Sequence, residues 1–237
     1  MKIFSTVITL AACATPLAAQ WVHDRTPGIP RTADGKADLA GLWDMAGDTA
    51  VGNVAVRKVG DLKPADVQPW AQALVQQRAE NFGKDNPHYQ CLPEGPNYAA
   101  GGGMKRIIQT PAMIAILNED LTYRQIFTDG RALETAANPS WMGYSVGHWD
   151  GDTLVVESSG FNAKTWLLGG YPHTEALRIT ERYRRPDFGH LEVQITIDDP
   201  DVFMKPWNMN TKWDLAPKED LIEFVCENNK AQNMVGK

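Results

Sequence analysis

Downstream of Lys105 the chain alternates between apolar and polar positions with a period of two. In HLEVQITID, residues 190–198, Leu191, Val193, Ile195 and Ile197 alternate with His190, Glu192, Gln194 and Thr196. Successive side chains of a strand point to opposite faces, so this segment has one apolar and one polar face. After Pro206 the same logic puts Trp207, Met209, Trp213 and Leu215 on one face with Thr211. KRIIQTP, MIAILNE, YRQIFTD, MGYSVGHW, DTLVVESSGF, EALRITERYRR and DLIEFVC read as further strands, and LAGLWDM adds one upstream. These segments, about ten in all and separated by turn residues, predict an all-β fold. The architecture expected is an antiparallel β-barrel of about 8–10 strands with its apolar faces inward.

One helix departs from this pattern. DVQPWAQALVQQRAENF predicts a helix over 66–82, with Trp70, Leu74, Val75 and Phe82 on one stripe, Pro69 in the first turn and Gly83 as the stop. HDRTPGIPRTADGKAD has Pro, Gly and charge without periodicity and reads as an extended arm. The expected organisation is a leader over 1–19, an arm over 20–37 and a single barrel domain over 38–237, a length one core can serve.

The most polar strands form the hairpin NPSWMGYSVGHWDGDTLVVESSGFN, residues 138–162. With Asp150-Gly151 as its loop, Tyr144 faces Glu157, Val146 faces Val155 and His148 faces Thr153, all on one face. That face is expected to point at least partly inward. Glu181 lies at the apolar parity of Leu177, Ile179 and Tyr183. A carboxylate there either pairs with an arginine from a neighbouring strand or is tuned for acid–base work. His173 stands where the chain enters that strand, at the expected barrel mouth, or on a solvent-exposed loop.

From these residues come two function classes. An acid–base enzyme, a lyase, isomerase or cyclase, would use His148, His173 and Glu181, with Tyr144 and Glu157 in support. A binding protein would instead hold a small hydrophobic or aromatic molecule among Trp141, Trp149, Trp166 and Trp207. An envelope protein using the barrel's outer face is a third possibility. GYSVG, residues 143–147, fits the letters of GxSxG, but Ser145 lies within a predicted hairpin strand and not at a strand-to-helix turn. With no HExxH, HxH or dinucleotide glycine pattern either, neither a serine triad, a metal centre nor a bound cofactor is expected.

Charge and cysteines change the setting. A net charge of −6 without a basic cluster argues against nucleic acid as partner. MKIFSTVITLAACATPLAAQ has the form of an export signal cleaved near Ala19, although Leu10-Ala11-Ala12-Cys13 also fits a lipoprotein box that would anchor Cys13 in a membrane. Either route leads to the periplasm or beyond. Cleavage near Ala19 leaves Cys91 and Cys226, an even pair in an oxidising compartment, which reads as one disulfide between the helical region and the last strand.

Two resemblances sharpen the fold expectation. Gly41-Leu42-Trp43, at the first strand, resembles the Gly-x-Trp signature of lipocalins. TADGKADLAGLW, WAQAL…CLPEG, IIQTP, RQIFTDGR, the whole hairpin, HTEALRITERYRRPDFGHLEVQITIDDP and EFVCEN together resemble a large family of secreted bacterial proteins. The resemblance implies export and a calycin-like barrel, and it brings no catalytic residues with it. The chain departs from that family at His148, where arginine is usual, and at Gly95-Pro96-Asn97, near a usual Pro-Arg pair.

Overall fold

The computed structural model describes residues 28–45, 60–99, 103–134 and 138–226. The expected leader, Cys13 and the start of the expected arm lie outside the described residues. Nine strands form a closed barrel: β1 (Gly41–Met45), β2 (Lys105–Gln109), β3 (Met113–Asn118), β4 (Tyr123–Phe127), β5 (Tyr144–Asp150), β6 (Thr153–Ser159), β7 (Arg178–Arg184), β8 (His190–Asp198) and β9 (Trp207–Leu215). Each strand pairs with the next in sequence, and β9 returns to β1 through Trp43↔Leu215 and Met45↔Trp213. The barrel is antiparallel except between β4 and β5. Their parallel ladder holds only Ile126↔Ser145 and Phe127↔Val146. Two parallel neighbours need a crossover connection between them.

The alternation read from the sequence governs what lies inside. β8 buries Leu191, Val193, Ile195 and Ile197, and β9 contributes Trp207 and Trp213. Tyr183 meets Trp213 edge-on with centroids 5.9 Å apart, and Phe203 meets Trp207 at 5.6 Å. The end formed by the β5–β6 turn is covered by the arm. There Trp43 Nε1 donates to the Leu39 carbonyl at 3.0 Å, and Arg185 donates to the Asp38 carbonyl at 2.6 Å. Helix α1 (Pro69–Glu80) lies at the opposite end, where Val67 bridges to Phe203 beside the β8–β9 connection.

Three expectations are corrected. DLIEFVC forms no strand and runs as an irregular tail, so the barrel has nine strands and the disulfide reaches that tail. The helix is shorter than 66–82, and of its own residues only Ala71 is buried; Trp70 and Phe82 are exposed. Trp70 is instead tethered by its indole N–H to the Asp201 carbonyl at 3.1 Å. Phe82 lies beyond the helix at φ 55, and Phe82 N and Gly83 N bond back to the Ala79 and Arg78 carbonyls. That pattern is a Schellman stop, with Phe82 in the left-handed position that glycine usually fills. Finally, the β5–β6 turn is Gly151-Asp152, with Asp150↔Thr153, Val146↔Glu157 and Tyr144↔Ser159 opposed. Gly151 takes φ 59 at the first central position of the turn. The register thus slides by two residues, which leaves the membership of each face unchanged.

Candidate functional site

Which hairpin face points inward is the reverse of the sequence expectation. Ser145, Leu154, Val156 and Ser158 are buried, whereas His148 and Glu157 are exposed on the outer face. Tyr144 is on that outer face too, its ring 5.6 Å from Phe127. The inner face is lined by small residues. A Cβ on Gly147 would stand 3.0 Å from Ile126 and 3.2 Å from Leu154, so this strand packs closely over its neighbours. Small side chains also leave room for Arg124, which projects inward from β4 and is 2% exposed.

Arg124 organises a polar cluster in the barrel core. Its Nη2 donates to Glu181 Oε2 and, at 2.7 Å, to Ser158 Oγ; its Nε donates to Ser145 Oγ at 3.0 Å. Tyr183 donates its hydroxyl to Glu181 Oε1 at 2.8 Å. Glu181 therefore takes the first of its two sequence readings, pairing with an arginine of a neighbouring strand. The structure does not bring Glu181 together with His148, Tyr144 or Glu157, because the barrel wall separates them.

A pocket of about 180 Å³ opens at the helix end of the barrel. Lys105 and Asn118, directly opposed across β2–β3, line its inner side and are 4% and 8% exposed. Glu119, Asp120 and Thr122 of the β3–β4 turn form another part of the wall, and His88 and Glu94 reach it from the loops after α1. Phe224 and Met142 supply apolar surface. One covalent bond and one hydrogen bond hold these walls together. The Cys91–Cys226 disulfide, with Cα atoms 5.5 Å apart, joins the loop carrying His88 to the tail carrying Phe224. Phe224 N also bonds to the Glu119 carbonyl at 2.6 Å.

Electrostatics in the pocket oppose one another at Lys105. Burial pulls its pKa below the ordinary lysine value, while Glu94 and then Asp120, Glu119 and Asp44 favour the ammonium. Both Lys105 and Asn118 were missed by reasoning on the hairpin alone. Their signal in the sequence was parity: Lys105 shares a face with Ile107, and Asn118 shares one with Ile114 and Ile116. Arg124, at the parity of Ile126, carried the same signal.

Most of the remaining residues singled out in the sequence lie toward this end; Trp149 lies beside the β5–β6 turn at the other. His173 is buried, with Nε2 2.8 Å from Thr165 Oγ1 and Nδ1 3.3 Å from the Thr174 carbonyl. Trp166 lies under the Arg78 guanidinium at 4.0 Å, and its carbonyl accepts from Asn97 Nδ2. Trp207 is packed into the core, Trp149 packs partly buried against it, and Trp141 is half-buried in the loop before β5. None of these residues lines the pocket described above. Compared with known proteins, the chain matched no family model, no curated protein and no solved structure.

Proposed function

We propose that this chain is an exported barrel protein that holds a small molecule in the pocket at the helix end. The observation that carries the reading is the opposed pair Lys105 and Asn118, two buried polar side chains at apolar parity that open on the same pocket. Burying polar groups costs stability, so their retention there is more readily understood as serving a ligand than as serving the core. Export is supported by the leader-like first 19 residues and by a disulfide of the kind that persists in oxidising compartments. Among the described residues no helix is long and apolar enough to cross a membrane.

A second reading, an acid–base enzyme, has its own support. Lys105, drawn toward the neutral amine by burial, shares the pocket with the Glu94 and Asp120 side chains, the kinds of group acid–base chemistry uses. Both readings are tested together by a thermal-shift screen of amphipathic small molecules against the disulfide-bonded protein, followed by mass spectrometry of each hit. Hits that lose their effect in Lys105→Met or Asn118→Leu, and are recovered unchanged, support binding. Conversion of a hit, lost in the same variants, supports the enzyme. Hits indifferent to both substitutions would remove the pocket from consideration.

A further inference from the structure

We infer that the pocket takes a small organic cation, a primary ammonium carried on a short apolar body; this rests on the pocket being the ligand site. The decisive atom is Asn118 Oδ1, which is buried and accepts no hydrogen bond. Its orientation is set by its neighbours. Thr122 donates its hydroxyl to Asp120 Oδ1 at 2.6 Å, so the same oxygen can only accept from Asn118 Nδ2, as it does at 2.9 Å. The amide nitrogen is thereby committed to Thr122, and the oxygen is left without a donor in a side chain that lines the pocket. A buried acceptor is worth most to a ligand that brings a donor.

Charge selects the kind of donor. Glu94, Glu119 and Asp120 line the pocket, and Asp44 adds its field at Lys105. Four carboxylates against one lysine leave an excess of negative charge, and a second cation answers it better than a neutral hydroxyl. These carboxylates are not grouped for a metal ion: among the described residues no three His, Cys, Asp or Glu converge as a metal would require. Met142 and Phe224 then offer an apolar surface for the body of the ligand, with the Phe224 ring available to the cation's methylenes.

The test is calorimetric titration of the disulfide-bonded protein with three matched probes: 2-phenylethylamine, 2-phenylethanol and phenylacetate. The amine is expected to bind about tenfold tighter than the alcohol, and phenylacetate not measurably. Asn118→Leu is expected to weaken the amine about tenfold. Because that variant also loses the bond to Thr122, Glu94→Gln provides a second measurement. Glu94 is partly exposed and its ion pair is a loose one to His88 at 3.7 Å, so the fold should survive while amine affinity drops about threefold. If the alcohol or phenylacetate binds as well as the amine and is sensitive to Asn118→Leu, the ammonium inference falls and the pocket stands. If none of the three binds at millimolar concentration, the ammonium inference falls, and the broader screen alone then decides the pocket.

Discussion

The imidazole of His173 is 3% exposed and sits between Thr165 and the Thr174 carbonyl. With Nδ1–H donating to that carbonyl, Nε2 accepts from the Thr165 hydroxyl, which is the neutral tautomer. Burial lowers its pKa below the ordinary 6.5; the Thr174 bond and Asp199 oppose the shift, and Arg78 adds to it. The unfolded chain therefore binds a proton near pH 6.5 that the folded protein resists. Stability is full above that value and declines as pH falls from about 6.5 toward the lower folded pKa. Urea unfolding measured between pH 7.5 and 5 should show this decline, and His173→Gln should flatten it. An unchanged slope in the variant would mean that His173 is not the group responsible. Sequence put this histidine near the barrel mouth but left open whether it faced solvent, because exposure there depends on the 160–177 loop folding over it.

Among the strands, β4 and β5 have the least backbone pairing, two opposed pairs where other neighbours have three to eight. Arg124 compensates from inside. One guanidinium reaches Ser145 on β5, Ser158 on β6 and Glu181 on β7, tying β4 to the three strands beyond the weak seam. Arg124→Met would leave the Glu181 carboxylate buried without that cation, and a loss of about 3–5 kcal/mol is expected from chemical denaturation. Arg124→Met with Glu181→Met should recover much of the loss, since two well-packed apolar residues carry no stranded charge. A single substitution costing less than about 1 kcal/mol would show that the seam does not depend on Arg124. The strand pattern made Glu181 conspicuous, but its partner was unreadable. Arg124 is 57 positions away, and the contact exists only because closure of the barrel brings β4 and β7 to a common interior.

For the whole molecule, the Cys91–Cys226 bond closes a loop with a sequence separation of 135 between the cap and the tail. In the chain-entropy view its loss, in Cys91→Ala with Cys226→Ala, should cost on the order of 4 kcal/mol. For a chain of this size that corresponds to a fall in Tm of roughly 8–16 °C by calorimetry. A fall smaller than about 2 °C would mean that the tail adds nothing to the fold. The same bond holds the pocket walls bearing His88 and Phe224 in one place, so the cap is covalently part of the site.

The barrel itself was written in the alternation of β8 and β9, where a period of two with large apolar residues admits one buried face. The cysteine pairing followed from the count of cysteines and the expectation of an oxidising compartment. Alternation groups side chains into faces but does not say which face is inside when both are mixed. On the β5–β6 hairpin the small Ser145, Gly147 and Ser158 were drawn inward by the need to accommodate Arg124, which turned His148 and Glu157 to solvent. Lys105 and Asn118 each broke the apolar parity of their own strand, yet only pairing β2 with β3 set them face to face. The helix, too, was legible in its place along the chain but not in its length or its packing, because the face it buries is decided by what the barrel end presents to it.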